Sequence, residues 1–232
     1  MSYHVGLIPD GNRRWAQARG LKPWDGHRIG AEKAESFVEW CLDRKEVSEF
    51  TIYALSEENF HRPKGELVEL FEIYENKLIE LSRNERVDQA RLRINLVSTR
   101  SRPLPQSLLS RARELCRNAR RNDGKVLNIL LGYTGQSEVL QAVASARNRF
   151  RNLVLGLREA DIERALKVKS PCDLIIRTGS EEGKREARSG FLLWQSAYSE
   201  YYHIDKFFPD VTVTDFDDAW TYFKATARKE GR

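Results

Sequence analysis

The sequence predicts an α/β fold with a central, mainly parallel sheet covered by helices on both faces. Three observations lead there. Short runs of β-branched, aromatic and leucine residues alternate with longer stretches of helical period. No Pro/Gly/Ser-rich tract, low-complexity run or repeat interrupts the 232 residues. The polar clusters fall repeatedly at the carboxyl ends of the apolar runs, where ligands sit in such folds. A single domain over 1–232 is expected.

The first strand is Val5 to Ile8, stopped by Pro9 and followed by the turn Asp10-Gly11-Asn12. Beyond Gly26-His27-Arg28-Ile29-Gly30, the spacing of Ala34, Phe37, Val38 and Cys41 predicts a helix. Glu49 to Leu55 is aromatic and β-branched and reads as a buried strand. The polar segment Ser56 to Pro63 leads into a helix with Leu67, Leu70, Phe71, Tyr74, Leu78 and Leu81 on one stripe. Leu92–Val97 is a third strand, and Leu104–Arg121 an arginine-rich helix. Val126–Leu131 is a fourth strand, closing at Gly132-Tyr133-Thr134-Gly135. A helix follows with Val139, Leu140, Val143 and Phe150 inward. Asp173–Ile176 is a fifth strand, ending at Arg177-Thr178-Gly179. The last helix is expected to start near Thr214, capped through Asp217, with Phe216, Ala219, Trp220 and Phe223 on one side.

The formal net charge is +5, carried largely by arginines at helical spacing such as Arg111, Arg113, Arg117, Arg120 and Arg121. Most of these read as a solvated face, and a minority as attractors of phosphate or an anionic membrane surface. No RNA-binding motif accompanies them, so nucleic acid is not an expected partner. Cys41, Cys116 and Cys172 are far apart and in no ligand spacing, which predicts free thiols in a reducing compartment. With no signal-peptide pattern and no apolar run of membrane-spanning length, a cytoplasmic protein is expected.

The opening stretch carries the chemistry. A strand ends in a turn whose backbone N–H groups, with Arg13 and Arg14, suit a polyanion such as a diphosphate. Asp10 among arginines makes sense where a divalent cation bridges it to phosphate oxygens. Ser56 to Arg62, Tyr133 to Gly135 and Arg177-Thr178 converge on the same edge. No Gly-x-x-x-x-Gly-Lys, no Gly-x-Gly-x-x-Gly after a strand and no His-Glu-x-x-His is present, so nucleotide hydrolysis, dinucleotide redox and zinc hydrolysis lose support. His4, His27, His61 and His203 form no metal cluster, and His4 and His203 read as structural.

Four segments in order resemble the cis-prenyltransferases, the undecaprenyl or polyprenyl diphosphate synthase family. They are His4–Ala16, Tyr53–Pro63, Leu127–Gly135, and Asp173–Gly179 continued by Phe191–Glu200. The resemblance covers essentially the whole chain. It implies transfer of an allylic prenyl diphosphate onto isopentenyl diphosphate, with Mg2+ as cofactor and an apolar channel for the growing chain. It implies that Asp10 binds the metal, with Glu200 as a second metal-associated carboxylate. Gly11, Asn12, Arg13 and Arg14 match the diphosphate cradle, Trp15 its hydrophobic neighbour and His27 a phosphate-side histidine. Asn59 matches the residue that assists proton removal, and Ser56, Glu57, Glu58, Phe60 and Arg62 belong to the mobile active-site segment. Arg177 matches an acceptor-diphosphate arginine, and Arg185, Arg188 and Ser189 are candidates to complete that site. Ala54 is small where the family can carry bulkier channel residues.

The chain departs from the family pattern in four places. Leu21-Lys22-Pro23-Trp24-Asp25 stands where a further arginine is usual. A longer insert, Ser180 to Gly190, replaces a compact Arg-x-Ser acceptor motif. The C-terminal Arg-x-Gly, which reaches a partner's site in the family, reads Lys229-Glu230-Gly231. Phe60 replaces a tryptophan. Three alternatives follow: an unusual acceptor or condensation geometry, a non-catalytic partner subunit (opposed by Asp10 and Glu200 both being present), and a basic anion-binding protein. Tyr201, Tyr202, Phe207 and Phe208 make the segment Glu200–Phe208 an expected homodimer surface, and peripheral membrane contact is expected for product release.

Overall fold

The computed structural model of the protein describes residues 2–99, 104–147, 156–179 and 189–229. The strands are β1 (Tyr3–Ile8), β2 (Val47–Ser56), β3 (Arg93–Val97), β4 (Val126–Tyr133), β5 (Leu174–Thr178) and β6 (Glu200–Ile204). They pair in the order β3-β4-β2-β1-β5-β6, and each neighbouring pair is parallel. The helices among the described residues are α1 (Asn12–Gln17), α2 (Pro23–Asp43), α3 (Lys64–Arg83), α4 (Glu85–Gln89), α5 (Gln106–Ala119), α6 (Gly135–Arg147), α7 (Glu159–Ala165) and α8 (Val213–Lys229).

The strand residues divide between two faces with the period of two that a pleated strand imposes. Val5, Leu7, Phe50, Ile52, Leu174 and Ile176 pack with Phe37, Trp40, Leu70, Leu108 and Phe216 of the covering helices. Ile8, Tyr53, Leu130 and Ile175, one residue out of phase, pack on the other face with Val168, Phe191 and Leu192. Burial on both faces explains why the central strands read as nearly continuous apolar runs. At the amino edge of the sheet His4 is buried, its Nε2 2.7 Å from Thr51 Oγ1 and its Nδ1 3.1 Å from the Pro171 carbonyl. Burial lowers the ring's pKa, so His4 is a neutral structural group, as expected.

Four elements differ from the sequence expectation. Glu200–Ile204 is a sixth strand on the sheet edge, and Phe208 beyond it is core rather than surface. Its tyrosines hid the strand, because aromatics suit an interface and a strand equally. Helix α2 begins at Pro23, so the segment Leu21–Asp25 is a helix start, with Pro at its first position and Asp25 accepting from the Lys22 amide at 3.1 Å. Helix α8 is capped by Thr212 through Asp215, at 2.8 Å from both the amide and the hydroxyl, not by Thr214 through Asp217. Asp217 instead accepts from the Trp40 indole at 3.0 Å.

The fourth is helix α6, which turns Glu138, Ala142 and Ala146 inward and leaves Leu140 exposed. Phe150 lies outside the described residues. A buried carboxylate sets this face. Glu138 accepts from the Tyr133 hydroxyl at 2.6 Å, the Gln195 amide at 3.1 Å and the backbone N–H groups of Lys167 and Val168 at 2.7 and 3.2 Å. Leaving those partners unmet would cost more than exposing one leucine.

Candidate active site

All the strands point their carboxyl ends to one edge, and a cavity of about 600 Å³ opens there. Asp10, Gly11, Asn12, Arg13, Arg14, His27, Ser56, Glu58, Asn59, Arg62, Arg177 and Ser189 line its polar part. Val38, Ile52, Ala54, Leu78, Leu96 and Ile129 line its apolar part, between the sheet and helices α2 and α3. Most of the expected site residues are therefore brought to one place by the ends of β1, β2 and β5.

Asp10 follows β1 in a turn that needs Gly11 at φ 101°, a left-handed conformation in which a Cβ would meet Phe207 at 2.7 Å. Its Oδ2 accepts from Arg177 Nη2 at 2.8 Å, and its Oδ1 lies 3.4 Å from Arg14. The Gly11 N–H, expected to be free for a ligand, donates to Asp10 Oδ1 at 2.6 Å. Asp10's backbone carbonyl accepts from Thr178 Oγ1 at 2.8 Å and from the Phe208 amide at 3.1 Å, which ties β1 to β5 and to the chain after β6. Its side chain remains 40% exposed, so it can meet a ligand while its backbone stays fixed.

Arg62 is held differently. Its Nη1 donates to Glu66 Oε1, in the first turn of α3, at 2.9 Å and to His27 Nε2 at 2.8 Å. Since the guanidinium donates, Nε2 accepts and the ring proton is on Nδ1. Burial first, then the positive charges of Arg62 and Arg13, push the His27 pKa down to about 3. The 3.7 Å approach of His27 to Glu66 is accordingly not an ion pair at neutral pH. Glu66 is a further residue of this site, and the Arg62-x-x-x-Glu66 spacing, opposite charges four apart at a helix start, is its only signal in the sequence.

On the β5 side Arg177 Nη1 donates to Ser189 Oγ at 2.9 Å. Ser189 has φ 48°, and its carbonyl accepts from the Tyr53 hydroxyl at 3.1 Å. The Tyr53 hydroxyl proton is shared with the Tyr133 carbonyl at 2.8 Å, so this buried tyrosine, expected only as part of a strand and of the Tyr53–Pro63 segment, anchors the Ser189 turn to β4. Asn59 and Ser56 bond reciprocally, Asn59 Oδ1 with the Ser56 amide and Ser56 Oγ with the Asn59 amide, each at 3.3 Å.

Several expected site residues do not line the cavity. Trp15 is buried and donates its indole N–H to Asp210 at 2.7 Å, with Arg19 stacked over its ring at 4.2 Å. Glu57 accepts from Thr99 at 2.8 Å and Ser137 at 3.1 Å, joining β2 to the β4–α6 corner. Phe60 packs on Phe71, with ring centroids 5.8 Å apart. Tyr133, expected at the anion edge, is fully buried on Glu138. Glu200 pairs in register with Leu174 at the amino end of β6, the opposite edge of the sheet from Asp10. Within one chain it does not join Asp10, because a parallel strand separates its two ends. Arg185 and Arg188 lie outside the described residues. Among the described residues no group of three His, Cys, Asp or Glu is placed to cage a metal ion.

A parallel sheet with an arginine-lined, half-apolar cavity beyond its strand ends defines a protein built for an amphiphilic polyanion. The chain belongs to the Prenyltransf family, described as undecaprenyl diphosphate synthase, whose model matches residues 8–231. It is a prenyltransferase by descent. A tritrans,polycis-undecaprenyl-diphosphate synthase (geranylgeranyl-diphosphate specific) of Pyrococcus abyssi is 38% identical, over 99% of this chain and 86% of that protein. An isoprenyl transferase of Thermus thermophilus is 36% identical, over 100% of this chain and 89% of its own length. The crystal structure of lavandulyl diphosphate synthase from Lavandula x intermedia, in complex with dimethylallyl diphosphate, superposes with a TM-score of 0.85 at 29% identity. It covers 95% of this chain and 94% of that one.

Proposed function

We propose that 1–232 is one catalytic domain that condenses isopentenyl diphosphate with an allylic prenyl diphosphate, releasing pyrophosphate and a longer polyprenyl diphosphate. The observation that carries this reading is a single cavity joining an arginine-lined mouth to an apolar interior. An amphiphile with a diphosphate head and a hydrocarbon tail fits both parts.

Arg13, Arg14 and Arg62 hold the allylic diphosphate, with the neutral His27 offering Nδ1–H as a donor. Arg177 and Ser189 hold the acceptor diphosphate, joined by Arg185 or Arg188 of the insert. Asn59 takes part in removing the proton after carbon–carbon bond formation, fixed for that task by Ser56. Ala54 leaves the channel wide below the mouth. Asp10 fits Mg2+ as the single carboxylate that, with substrate phosphates, is a normal magnesium environment. When bound, the ion stabilises charge on the departing pyrophosphate. Asp10 Oδ2 accepts from Arg177 at 2.8 Å, and Arg177 would be free for the acceptor wherever Asp10 turned to the ion.

Homodimer formation rests on β6, an edge strand that ends the described sheet. Glu200 sits on this edge, so it serves a metal only where a second copy brings a site to it. The protein works in the cytoplasm and touches membranes peripherally to release product; among the described residues no helix is long and apolar enough to cross one.

The test is mass analysis of products from purified protein, Mg2+, labelled isopentenyl diphosphate and dimethylallyl, farnesyl or geranylgeranyl diphosphate. Products growing by five-carbon steps are expected, with geranylgeranyl diphosphate favoured as in the archaeal relative. No elongation from any primer would sink the reading. The likeness to lavandulyl diphosphate synthase and the altered acceptor insert favour a second reading, in which the acceptor is itself allylic. A condensation product from dimethylallyl diphosphate alone would select it.

A further inference from the structure

The segment that carries Asn59 is held mostly from outside itself. It is the short 3-10 helix Glu58–His61, in which no residue is buried. The β2–β4 ladder fixes it poorly, because the register slips between Tyr53 and Leu55 and again between Leu55 and Ser56. The bonds between Asn59 and Ser56 are local, so they set the shape of the turn rather than its place over the cavity. At its far end Phe60 packs on Phe71 and Arg62 is tied to Glu66. At the end next to Asn59 the anchor is Glu57. Its carbonyl accepts from the Phe60 amide at 3.3 Å, and its amide donates to the Tyr133 carbonyl at 3.1 Å. One oxygen of its half-buried carboxylate accepts from Thr99 Oγ1 at 2.8 Å, and the other from Ser137 Oγ at 3.1 Å. Thr99 is itself a fixed post. It is buried, its hydroxyl accepts from the Thr134 amide at 2.9 Å, its amide donates to the Gly132 carbonyl at 3.0 Å, and its carbonyl accepts from Gln141 Nε2 at 2.6 Å.

We propose that Glu57 is a positioning residue for proton removal: its carboxylate, clamped on Thr99 and Ser137, sets where Asn59 stands over the cavity. The inference rests on the reading above in which Asn59 takes part in that step. Glu57 does not line the cavity, so it acts through the chain, two residues away from Asn59. A carboxylate suits the clamp. Its two oxygens take both hydroxyls at once, and hydrogen bonds to an ionised acceptor are stronger than those between neutral groups. Proton removal is the step that feels a loose clamp most. The diphosphates are gripped by several arginines, whose long side chains follow a small shift of the backbone. The short Asn59 side chain does not, and a misplacement of about 1 Å costs on the order of 10²-fold in rate.

The experiment is a double-mutant cycle on Glu57→Ala and Asn59→Ala, with Glu57→Gln beside it. Turnover, both Michaelis constants and the isotope effect with isopentenyl diphosphate deuterated at the carbon that loses its proton are measured for each. Glu57→Ala should lower turnover about 10- to 100-fold and enlarge the isotope effect, as proton loss becomes slower. Both Michaelis constants should stay within about two-fold. Glu57→Gln still meets both hydroxyls and should restore most of the turnover. In the Asn59→Ala background Glu57→Ala should cost little more, because the two act as one unit. Losses that multiply in the double variant, or Michaelis constants that rise as turnover falls, make Glu57 a purely structural residue and overturn the proposal. Unchanged turnover in Glu57→Ala overturns it as well. Full turnover in Asn59→Ala alone, or no elongation by the wild type, sinks the Asn59 or the synthase reading first and takes this inference with it. Thermal melting checks each variant. Should Glu57→Ala not fold, Ser137→Ala repeats the cycle with one hydroxyl removed and a smaller loss expected; a loss there that multiplies with that of Asn59→Ala, or no loss at all, overturns the proposal.

Discussion

The two sides of the cavity mouth hold their arginines by opposite means. On the α3 side Arg62 is fixed by Glu66, whose side chain is 3% exposed, and by a neutral His27. Neither partner has to let go for a ligand to bind. On the β5 side Arg177 is fixed by Asp10 and Ser189, and Asp10 is itself the proposed metal carboxylate. The first side is preorganised by bystanders, and the second is neutralised by a working group. If the proposed roles hold, binding on the α3 side needs little rearrangement, whereas binding on the β5 side would act on an existing ion pair.

Asp10→Ala should break the comparison most severely. Turnover should fall by at least ~10²-fold, the scale of losing one group that stabilises developing charge. Unfolding free energy should change by no more than about 1 kcal/mol, because the pair it removes is 40% exposed on the Asp10 side and its backbone bonds persist. Steady-state kinetics with denaturant titration checks both. Near-normal magnesium-dependent activity would mean that charge on the leaving group is met elsewhere.

Glu66→Gln sharpens the other side. Losing a charged partner at 2.9 Å in a buried setting should cost roughly 1.5–3 kcal/mol of stability. The Michaelis constant for the allylic primer should rise as Arg62 loses its fixed orientation, while that for the acceptor stays put. If both constants rise together, the two sides are not independent.

These two sides also show what the sequence could reveal. Asp10, Arg62 and Arg177 are legible because each follows an apolar run that ends at the same edge, and topology then brings them together. Glu200 follows no such logic: it opens a strand whose existence the aromatic segment concealed, and so falls on the opposite edge of the sheet. Trp15 and Glu57 stand within the motifs yet are bonded to Asp210 and Thr99, partners far away in the chain. The anchoring roles of Tyr53 and Glu138 are invisible for the complementary reason. Their partners are mainly backbone groups and residues of other elements, and no spacing rule announces them.

The pH dependence of stability offers a smaller test of the α3 side. His27 has a folded pKa of about 3, below its ordinary value, so the unfolded chain binds the proton more tightly. Its contribution is fully present above the ordinary histidine pKa of about 6.5 and is lost as pH falls from there toward about 3, at up to ~1.4 kcal/mol per pH unit. His27→Gln should flatten the stability profile in that window, as read by denaturant midpoints from pH 7 to pH 4. An unchanged slope would place the acid sensitivity on other groups.

The smallest effect belongs to Ser189. Its hydroxyl accepts one of Arg177's hydrogen bonds, and in the ligand-free protein Asp10 accepts another. Loss of one such bond is worth about 0.5–1.5 kcal/mol, so Ser189→Ala should raise the acceptor Michaelis constant roughly two- to ten-fold. Turnover and the primer constant should hold. The backbone complicates this residue, because φ 48° is a conformation that glycine adopts more readily than alanine. Ser189→Gly removes the same hydroxyl without that strain. Equal rises in the two variants assign the effect to the hydroxyl; a rise in Ser189→Ala alone assigns it to the turn, which Tyr53 anchors through the Ser189 carbonyl. No rise in either would remove the Ser189 hydroxyl from the acceptor site and leave Arg177 to be held there by other groups.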